Sequence, residues 1–400
     1  MNPRLDLLHP YPFEKLRALL DGVTPPAALK PISWSIGEPK HPAPPFVLET
    51  VRQHLDELGL YPPINGIVEL REAIAAWAGR RFDLPAGSLT AERHVLPVAG
   101  TREALFSFAQ AVIDSERPNP LVLMPNPCYQ IYEGATLLAG ATPHYLASSS
   151  ATGGLPDLDQ VDAASWNRCQ LFYLCSPDNP TGAVASLDYL CHLITLAERH
   201  DFVIAADECY SELYFDEAAP PPGILQAAAR LGLTDYARVI AFHSLSKRSN
   251  LAGLRSGFVA GDARLIERYR LYRTYHGAAL PVPVQRASIA AWQDEAHVVE
   301  NRARYRQKFA AVLDILRGSL DVVRPGGGFY LWPRVPLDDQ QFTRELYRQQ
   351  KLTVVPGSFL SRDVNGDNPG ACHVRLALVA ELDECIEGAE RLRRFVEGLG

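Results

Sequence analysis

The chain has 400 residues, of which 47% are hydrophobic and 21% charged, and its formal net charge is −7. At roughly 150 residues per domain this length predicts about two domains, and the composition indicates a globular protein. The basic residues are dispersed along an acidic chain, so a nucleic-acid-binding surface is not expected and a small-molecule partner is favoured. The seven cysteines form no C-x-x-C pair, which argues against a disulfide framework and a zinc site.

The N-terminal residues predict neither export nor membrane insertion. A secretory leader needs a basic segment followed by an apolar one, and a membrane span needs ~20 apolar residues. Neither pattern is found in the sequence. We therefore expect a cytoplasmic protein that does not bind a membrane.

Residues 1–45 are expected to form an N-terminal arm and part of a smaller domain. A short amphipathic segment precedes the turn at Asp21-Gly22, and residues 33–36 predict a short strand. The proline-rich run 39–45 excludes regular helix and is interpreted as a linker.

Residues 46–283 are expected to form a large domain. Apolar residues at helical spacing predict helices over 46–58 and 68–77, with a turn between them. Apolar runs bounded by turn residues predict buried strands at 94–98, 121–124, 171–175, 202–206 and 237–242.

Polar residues follow several of these strands. Asn179, Asp207, Ser244 and Lys247 come just beyond the carboxyl ends of successive strand-like runs. Ligands of open α/β sheets bind at that edge. The sequence therefore predicts one ligand site that brings these four residues together.

Lys247 is the candidate nucleophile of this site. The chain has six lysines among its 39 basic residues, and Lys247 is the only lysine between positions 40 and 308. A lysine amine is a useful nucleophile only when desolvation or nearby positive charge lowers its pKa, and Arg248 and Arg255 are candidates for that charge. The alternative is a surface lysine after a strand, which the flanking Ser244 and Ser246 make the weaker interpretation.

A second candidate element is the segment Gly100-Thr101-Arg102, which follows a strand and opens a helix. A helix N-terminus offers unpaired N–H groups and the positive end of a dipole, so it suits a phosphate. Simple capping of the helix by Thr101 is the alternative for this segment taken alone. The serines and arginine around Lys247 favour the phosphate.

Residues 284–400 are expected to form a small α+β domain. The pattern predicts a long helix over 284–317, further helices over 342–350 and 382–399, and strands at 322–324, 329–332, 353–355 and 373–376. Three glycines at 326–328 suit a tight turn, and a phosphate loop is disfavoured because no helix follows. Strand alternation leaves Arg375 open between a solvent-facing role and a site role.

Taken together, these segments resemble the class I/II aminotransferases of fold type I. Five segments in the family's order carry the resemblance: Tyr61 with Gly66, Leu70 and Arg71; Gly100-Thr101-Arg102; SPDNPTG at 176–182; SLSKRSNLAGLR at 244–255; and HVRLAL at 373–378. The resemblance covers essentially the whole chain. It departs from the family pattern at Ser176, where an asparagine is usual, and at Arg102, where a lysine is frequent.

The resemblance implies a mostly parallel central sheet flanked by helices, plus a smaller α+β domain. It also implies pyridoxal 5′-phosphate as cofactor and amino acids and 2-oxo acids as substrates. Lys247 and Asp207 would be the catalytic residues. The implied cofactor-binding residues are Gly100, Thr101, Arg102, Tyr129, Asn179, Asp207, Tyr210, Ser244, Ser246, Lys247 and Arg255.

The remaining roles are also implied by the resemblance. Tyr129 would stack on the cofactor ring, with Tyr132 as its rival. Gly37, Asn179 and Arg375 would bind the substrate, and Arg375 suits an α-carboxylate because a guanidinium donates two parallel hydrogen bonds. Tyr61 would reach the cofactor phosphate of a partner subunit, which predicts a homodimer.

Three stretches resemble more particularly the N-succinyldiaminopimelate aminotransferases of lysine biosynthesis: residues 11–22, 35–44 and 244–262. This implies N-succinyl-LL-2,6-diaminopimelate as amino donor and 2-oxoglutarate as acceptor. The alternatives are an aspartate or aromatic amino-acid aminotransferase, another reaction of the same fold such as β-elimination, or a non-catalytic regulator. A regulator would be expected to lose Lys247 or Asp207, and both are present.

Overall fold

The computed structural model describes residues 1–148 and 152–399. Its strands are β1 (Ile32–Ser33), β2 (Val95–Val98), β3 (Leu121–Asn126), β4 (Thr142–Ala147), β5 (Cys169–Cys175), β6 (Val203–Asp207), β7 (Val239–Ser244), β8 (Gly257–Gly261), β9 (Tyr330–Leu331), β10 (Leu352–Thr353), β11 (Val355–Pro356) and β12 (Val374–Ala377). Its α-helices are α1 (Pro12–Leu20), α2 (Pro45–Gln53), α3 (Val68–Arg81), α4 (Thr101–Val112), α5 (Ile131–Ala139), α6 (Ala163–Arg168), α7 (Leu187–His200), α8 (Ile224–Arg230), α9 (Leu245–Arg248), α10 (Ala263–His276), α11 (Val282–Gln293), α12 (Ala296–Leu316), α13 (Asp339–Gln350) and α14 (Leu382–Glu397).

The larger unit is built on a sheet whose seven strands, within the described residues, run in the order β2-β8-β7-β6-β5-β3-β4. β8 is antiparallel to both neighbours, and the other adjacent pairs are parallel. Along β5, Leu171 and Tyr173 enter the core on one face, while Phe172 and Leu174 enter the core on the other. The continuous apolar runs of the sequence are therefore strands covered by helices on both faces, which confirms the predicted α/β fold.

The smaller unit contains an antiparallel sheet of order β11-β12-β9. The N-terminal segment joins it, because β1 pairs in parallel with β10 and Trp34 is fully buried in the same core as Phe309 and Leu376. Helix α11 packs on α2 and α3 and buries Trp292 in the core of the large unit. This packing favours a domain boundary along α12 rather than at residue 284, and the division itself stays a proposal.

Two predictions of secondary structure were wrong. The helix predicted over 284–317 is two helices, because Asp294 accepts a hydrogen bond from the backbone of His297 at 3.0 Å and starts a new turn there. Residues 322–324 form no strand, and Val323 is exposed rather than paired in a sheet.

The N-terminal arm connects to the small unit and reaches the ligand-binding edge of the sheet. Helix α1 packs against α13 and β11. Just ahead of it and within it, Tyr11 and Phe13 line a cavity at the carboxyl ends of the central strands. Among the described residues, no helix is long and apolar enough to cross a membrane.

Candidate active site

The ends of β5, β6 and β7 open into a cavity of about 620 Å³ between the two units. The predicted site residues that line it are Gly37, Thr101, Arg102, Tyr129, Asn179, Asp207, Tyr210, Ser244, Ser246, Lys247, Arg255 and Arg375. Gly100 is not in the lining but directly precedes Thr101, which is. Parallel strands end at a common edge of the sheet, so residues scattered over the sequence share one cavity here.

Lys247 lies on a single helical turn at the end of β7. Ser244 is both the last residue of the strand and the N-cap of α9, with its hydroxyl accepting from the backbone N–H of Ser246 at 3.1 Å. The Lys247 ammonium donates to the Gly37 carbonyl oxygen at 2.5 Å and lies 5.4 Å from the ring centre of Phe329. The turn therefore aims Nζ into the cavity instead of leaving it on a solvated loop.

Burial lowers the pKa of Lys247 to about 8, and the charges of Arg375 and Arg102 add to that lowering. A neutral amine is the nucleophilic form, so this environment favours covalent and proton-transfer chemistry at Nζ. The expectation that Arg248 supplies the charge was wrong. Arg248 is buried away from the cavity, where it donates to the Ala291 carbonyl and to Glu295.

Asp207 ends β6 at the floor of the cavity and is only 3% exposed. Burial raises its pKa, while hydrogen bonds to the carboxylate oppose that rise. The hydroxyl of Tyr132 donates to Oδ2 at 2.8 Å, and the backbone N–H of Cys209 donates to Oδ1 at 3.3 Å. A carboxylate held in this way lacks a cationic partner of its own chain within hydrogen-bond reach among the described residues, which fits a protonated nitrogen of a ligand.

The two rival tyrosines have different surroundings. Tyr129 lines the cavity, and its hydroxyl accepts from Nε of Arg102 at 2.7 Å. Tyr132 is fully buried and stacks on Tyr173 with ring centres 4.5 Å apart. Tyr129 is thus the one whose ring is available to a ligand, whereas Tyr132 holds Asp207.

Polar donors meet at the N-terminus of α4. Gly100 is the N-cap, with φ of 87°, and no side chain caps the helix, so the alternative of capping by Thr101 is wrong. A Cβ added to Gly100 would lie 2.2 Å from Nη2 of Arg255. The Arg255 guanidinium therefore sits directly beside the free N–H groups of the helix. Ser244 and Ser246 face the same cavity, and this donor set suits a phosphate.

Arg375 enters the cavity from β12, which resolves the ambiguity left by strand alternation. Its guanidinium donates to Oδ1 of Asn179 at 3.0 Å and to the Ser35 carbonyl at 2.5 Å. Its carbon Cζ lies 4.5 Å from the ring centre of Tyr330, whose hydroxyl is 3.0 Å from that of Tyr210. Each terminal nitrogen of Arg375 carries two hydrogens and donates one of them to these partners, so a hydrogen on each remains for an incoming carboxylate.

Several cavity residues were missed by the sequence interpretation, and these include Tyr11, Phe13, Glu38, Cys209 and Tyr330. Tyr11 and Phe13 belong to an arm whose position no local pattern reveals. Cys209 follows Asp207 by two residues, and Glu38 follows Gly37, so their proximity to the predicted residues was the available signal.

Tyr61 does not line the cavity of its own chain. Its side chain is fully exposed, in a segment whose neighbours Leu58 and Leu60 are also exposed. The role of Tyr61 toward a partner subunit stays a prediction.

Comparison with known proteins identifies the family to which this geometry belongs. The family model named aminotransferase class I and II matches residues 30–385. The chain is 30% identical over 397 residues to the LL-diaminopimelate aminotransferase of Desulforudis audaxviator, with 98% of this chain and 96% of that protein covered.

Two solved structures extend the comparison. An aminotransferase from Neisseria meningitidis is 46% identical, with 98% of this chain and 99% of that chain covered and a TM-score of 0.94. A probable N-succinyldiaminopimelate aminotransferase from Thermus thermophilus is 26% identical, with 96% of this chain and 100% of that chain covered and a TM-score of 0.82.

Fold and site together define a transaminase of fold type I that uses pyridoxal 5′-phosphate. The chain belongs to the class I and II aminotransferase family.

The residues present fit this cofactor. The cavity offers a lysine amine of lowered pKa, a buried carboxylate that pairs with no cation among the described residues, a tyrosine ring in its wall and a cluster of phosphate donors. These are the groups that an aldehyde, a pyridine nitrogen, an aromatic ring and a phosphate require.

Proposed function

We propose that this transaminase acts on N-succinyl-LL-2,6-diaminopimelate, with 2-oxoglutarate as acceptor and glutamate as product. The observation that supports it is a second cation in the substrate cavity. Arg102 lines the cavity from α4, whereas Arg375 enters from β12. A donor that carries a carboxylate at each end suits a cation for each, and the resemblance of residues 11–22, 35–44 and 244–262 favours the succinylated compound among such donors.

Arg102 is placed to act as that second cation. Its Nε donates to the Tyr129 hydroxyl at 2.7 Å, and its Nη2 donates to the Tyr11 hydroxyl at 3.1 Å. Two hydrogen bonds thus fix the guanidinium in the wall of the cavity. Residues 11–22 and 35–44, which resemble the N-succinyldiaminopimelate aminotransferases, contribute Tyr11 and Gly37 to the lining of the cavity that Arg102 also lines.

The proposed roles of the cofactor-binding residues follow from their positions. Lys247 would hold the cofactor, Asp207 its ring nitrogen, and Asn179 and Tyr210 its phenolic oxygen. Thr101, Ser244, Ser246 and Arg255 would hold the phosphate, together with the backbone of Gly100 and Arg102. Tyr129 would cover the ring.

The bound cofactor supplies an electron sink attached to the substrate nitrogen. The remaining chemistry belongs to the protein. Arg375 binds the α-carboxylate and so fixes the Cα–H bond of the donor. Lys247, when free, would take the Cα proton on Nζ and deliver it to the aldehyde carbon of the cofactor, because burial lowers the pKa of its amine to about 8 and the amine is aimed into the cavity.

A second candidate donor is LL-2,6-diaminopimelate itself. It is supported by the LL-diaminopimelate aminotransferase to which the chain is 30% identical, and by Glu38, a carboxylate in the cavity wall that would pair with a distal ammonium. Aspartate and aromatic amino acids remain the further alternatives. A non-catalytic regulator is disfavoured because Lys247, Asp207 and Arg375 are all assembled in one cavity.

The test is a titration of the visible absorbance of the holoenzyme with four donors in parallel: the succinylated compound, LL-diaminopimelate, aspartate and phenylalanine, with glutamate as the reference. We expect the band of the bound cofactor to disappear with the succinylated compound and glutamate, and hardly to change with the others. A response to unmodified LL-diaminopimelate alone would transfer the assignment to the second candidate. A response to aspartate or phenylalanine alone would refute both.

We also propose that the active enzyme is a homodimer in which Tyr61 serves the partner's site. The side chains of Leu55, Leu58, Leu60 and Tyr61 are all exposed within one short segment, and apolar side chains grouped in this way suit a subunit contact. The cytoplasmic location expected from the sequence stays a prediction.

Subunit mixing tests this arrangement. A Lys247→Ala chain and a Tyr61→Ala chain, mixed and exchanged, would form hybrids with one complete site if Tyr61 acts across the interface. We expect activity to rise above that of either variant alone. If Tyr61 acts within its own chain or has no role, mixing will produce no such gain.

A further inference from the structure

A buried polar cluster lies behind the site, between the linker after Gly37 and helix α12. It consists of His41, Asn301 and Lys308, whose exposed fractions are 4%, 3% and 1%. Charged and polar groups are costly to bury without a partner, so a cluster of this kind calls for an explanation. None of its members lines the cavity.

The hydrogen bonds of the cluster have one consistent direction. The Lys308 ammonium can only donate, and it lies 2.6 Å from Nε2 of His41, which therefore accepts. Nδ1 of His41 then carries the hydrogen and donates to Oδ1 of Asn301 at 2.7 Å. That oxygen also accepts from Asn250 at 3.1 Å. The amide nitrogen of Asn301 is left to donate.

Two routes lead from this cluster to Lys247, one through hydrogen bonds of Asn301 and one through the backbone between Gly37 and His41. The Asn301 amide donates to the backbone carbonyl of Lys247 at 3.4 Å and to that of Arg248 at 3.5 Å. At the other end of the side chain, Nζ of Lys247 donates to the carbonyl of Gly37, four residues before His41 in the same segment. The cluster thus holds both the backbone of the lysine and the loop that receives its tip.

A third route passes through contacts between rings. The His41 ring lies 4.8 Å from the ring of Tyr305, and the Lys308 ammonium lies 5.0 Å from that ring. Tyr305 stacks on Phe329 with ring centres 5.7 Å apart, and Phe329 lies beneath Nζ of Lys247 at 5.4 Å. Phe329, which packs under Lys247, is therefore connected through Tyr305 to His41 and Lys308.

We propose that His41, Asn301 and Lys308 are positioning residues that set the place of the Lys247 amine. The inference rests on the proposed role of Lys247 and does not depend on the identity of the substrate. Removing Lys308 leaves His41 without its donor, which frees the linker and the backbone behind the reacting amine. Small displacements of a reacting group reduce the rate of the chemical step more than they reduce binding.

The test compares Lys308→Met with Arg391→Met as matched control. Arg391 is also a buried helical cation, at 1% exposure, and it donates to the carbonyls of Lys30 and Gln350 in the small unit, away from the cavity. Both variants lose a buried charge and its hydrogen bonds. Only Lys308→Met breaks the contacts that lead to Lys247.

Two readouts separate a positioning role from a structural one. The first is the pH midpoint of the absorbance change of the cofactor joined to Lys247, and the second is kcat against KM for glutamate. For Lys308→Met we expect a midpoint shift of about one pH unit, a tenfold change in ionisation constant, and a kcat lowered roughly ten- to a hundredfold with KM nearly unchanged. Arg391→Met should lower the melting temperature and leave both readouts as in the wild type.

The proposal is overturned if Lys308→Met moves only the melting temperature, as the control does. His41→Phe keeps the ring packing on Tyr305 and removes both nitrogens, so the same two readouts on this variant decide the question should Lys308→Met fail to fold. If Lys247→Ala instead gives the same cofactor spectrum as the wild-type holoenzyme, the proposed function is refuted. The two failures are thereby distinguished.

Discussion

At the scale of single residues, the site shows that a lowered lysine pKa does not by itself identify a catalytic residue. Burial lowers the pKa of Lys247 and of Lys308 to about 8 in both cases. Only Lys247 lines the cavity, whereas Lys308 donates to His41 inside the protein. Lys247 lies on the helical turn that directly follows β7, whereas Lys308 lies within α12. This difference in position, which the sequence does reveal, distinguishes the candidate catalytic lysine from the other.

Asp207 should be needed for its charge and not for its shape. Asp207→Asn keeps an acceptor for the Tyr132 hydroxyl but removes the carboxylate that would face a protonated ring nitrogen. By analogy with breaking a buried ion pair, we expect a loss of about 3–5 kcal/mol in transition-state stabilisation, measured as kcat/KM, and weaker cofactor retention. Asp178→Asn is the matched control, since Asp178 is a neighbouring buried carboxyl that bonds Thr181 and does not line the cavity. Equal turnover in Asp207→Asn and wild type would remove Asp207 from this role.

Arg375→Lys should raise the KM for the amino donor. Lysine keeps the charge, but its compact ammonium cannot donate to Asn179, Ser35 and a substrate carboxylate at the same time, as the planar guanidinium can. Loss of charge-assisted hydrogen bonds of about 1.5–3 kcal/mol corresponds to roughly a ten- to hundredfold change in kcat/KM. Arg238→Lys, at a surface pair with Asp201, provides the control. Steady-state kinetics with unchanged KM in Arg375→Lys would contradict the carboxylate-binding role.

At the scale of secondary-structure elements, the sequence predicted the strands that carry the site better than the segments that close over it. The strand ends at Asp207 and Ser244 were predictable because buried parallel strands are short apolar runs with distinct boundaries. Tyr11, Tyr330 and the end of α11 were not, since their positions depend on packing between segments far apart in sequence. The start of α12 is an example: its N-cap residue Glu295 accepts from Arg248 and from Trp77, and neither contact is visible in local spacing.

The link between α5 and the small unit should be strongly stabilising. Arg362 donates to Glu133 at 2.7 and 2.5 Å, and the Glu133 side chain is 5% exposed. Removing one partner of a buried pair costs about 3–5 kcal/mol, so Glu133→Gln should lower the free energy of unfolding by that order. Urea unfolding measures it. The double variant with Arg362→Met should lose less than the sum of the singles, and strict additivity would show that the pair is not coupled.

The pH dependence of this pair has a definite sign. Burial raises the pKa of Glu133, but hydrogen bonds from Arg362 and Tyr145 outweigh it and leave the pKa below its ordinary value of 4.5. A lowered carboxyl pKa adds stability above the unfolded pKa, and this is lost as the pH falls. The gap between wild type and Glu133→Gln should therefore narrow below about pH 4.5.

At the scale of the whole molecule, buried histidines should make the fold sensitive to mild acid. Burial lowers the pKa of His41, His94, His144 and His297 from the ordinary 6.5. The unfolded chain takes up protons near 6.5 and the folded chain only at lower pH, so stability falls as the pH drops through that value. Melting temperatures at about pH 7.5, 6.5 and 5.5 should decrease in that order. A constant or rising value would contradict this expectation.

The assignment of the site depends most directly on one covalent fact, which is the lysine that carries the cofactor. Reduction of the holoenzyme with borohydride, followed by digestion and mass spectrometry, locates that lysine among the six in the chain. The structure predicts the added mass on Lys247 and none on Lys308, although both pKa values are lowered to about 8. Modification of Lys308, of a surface lysine, or of no lysine would contradict the assignment.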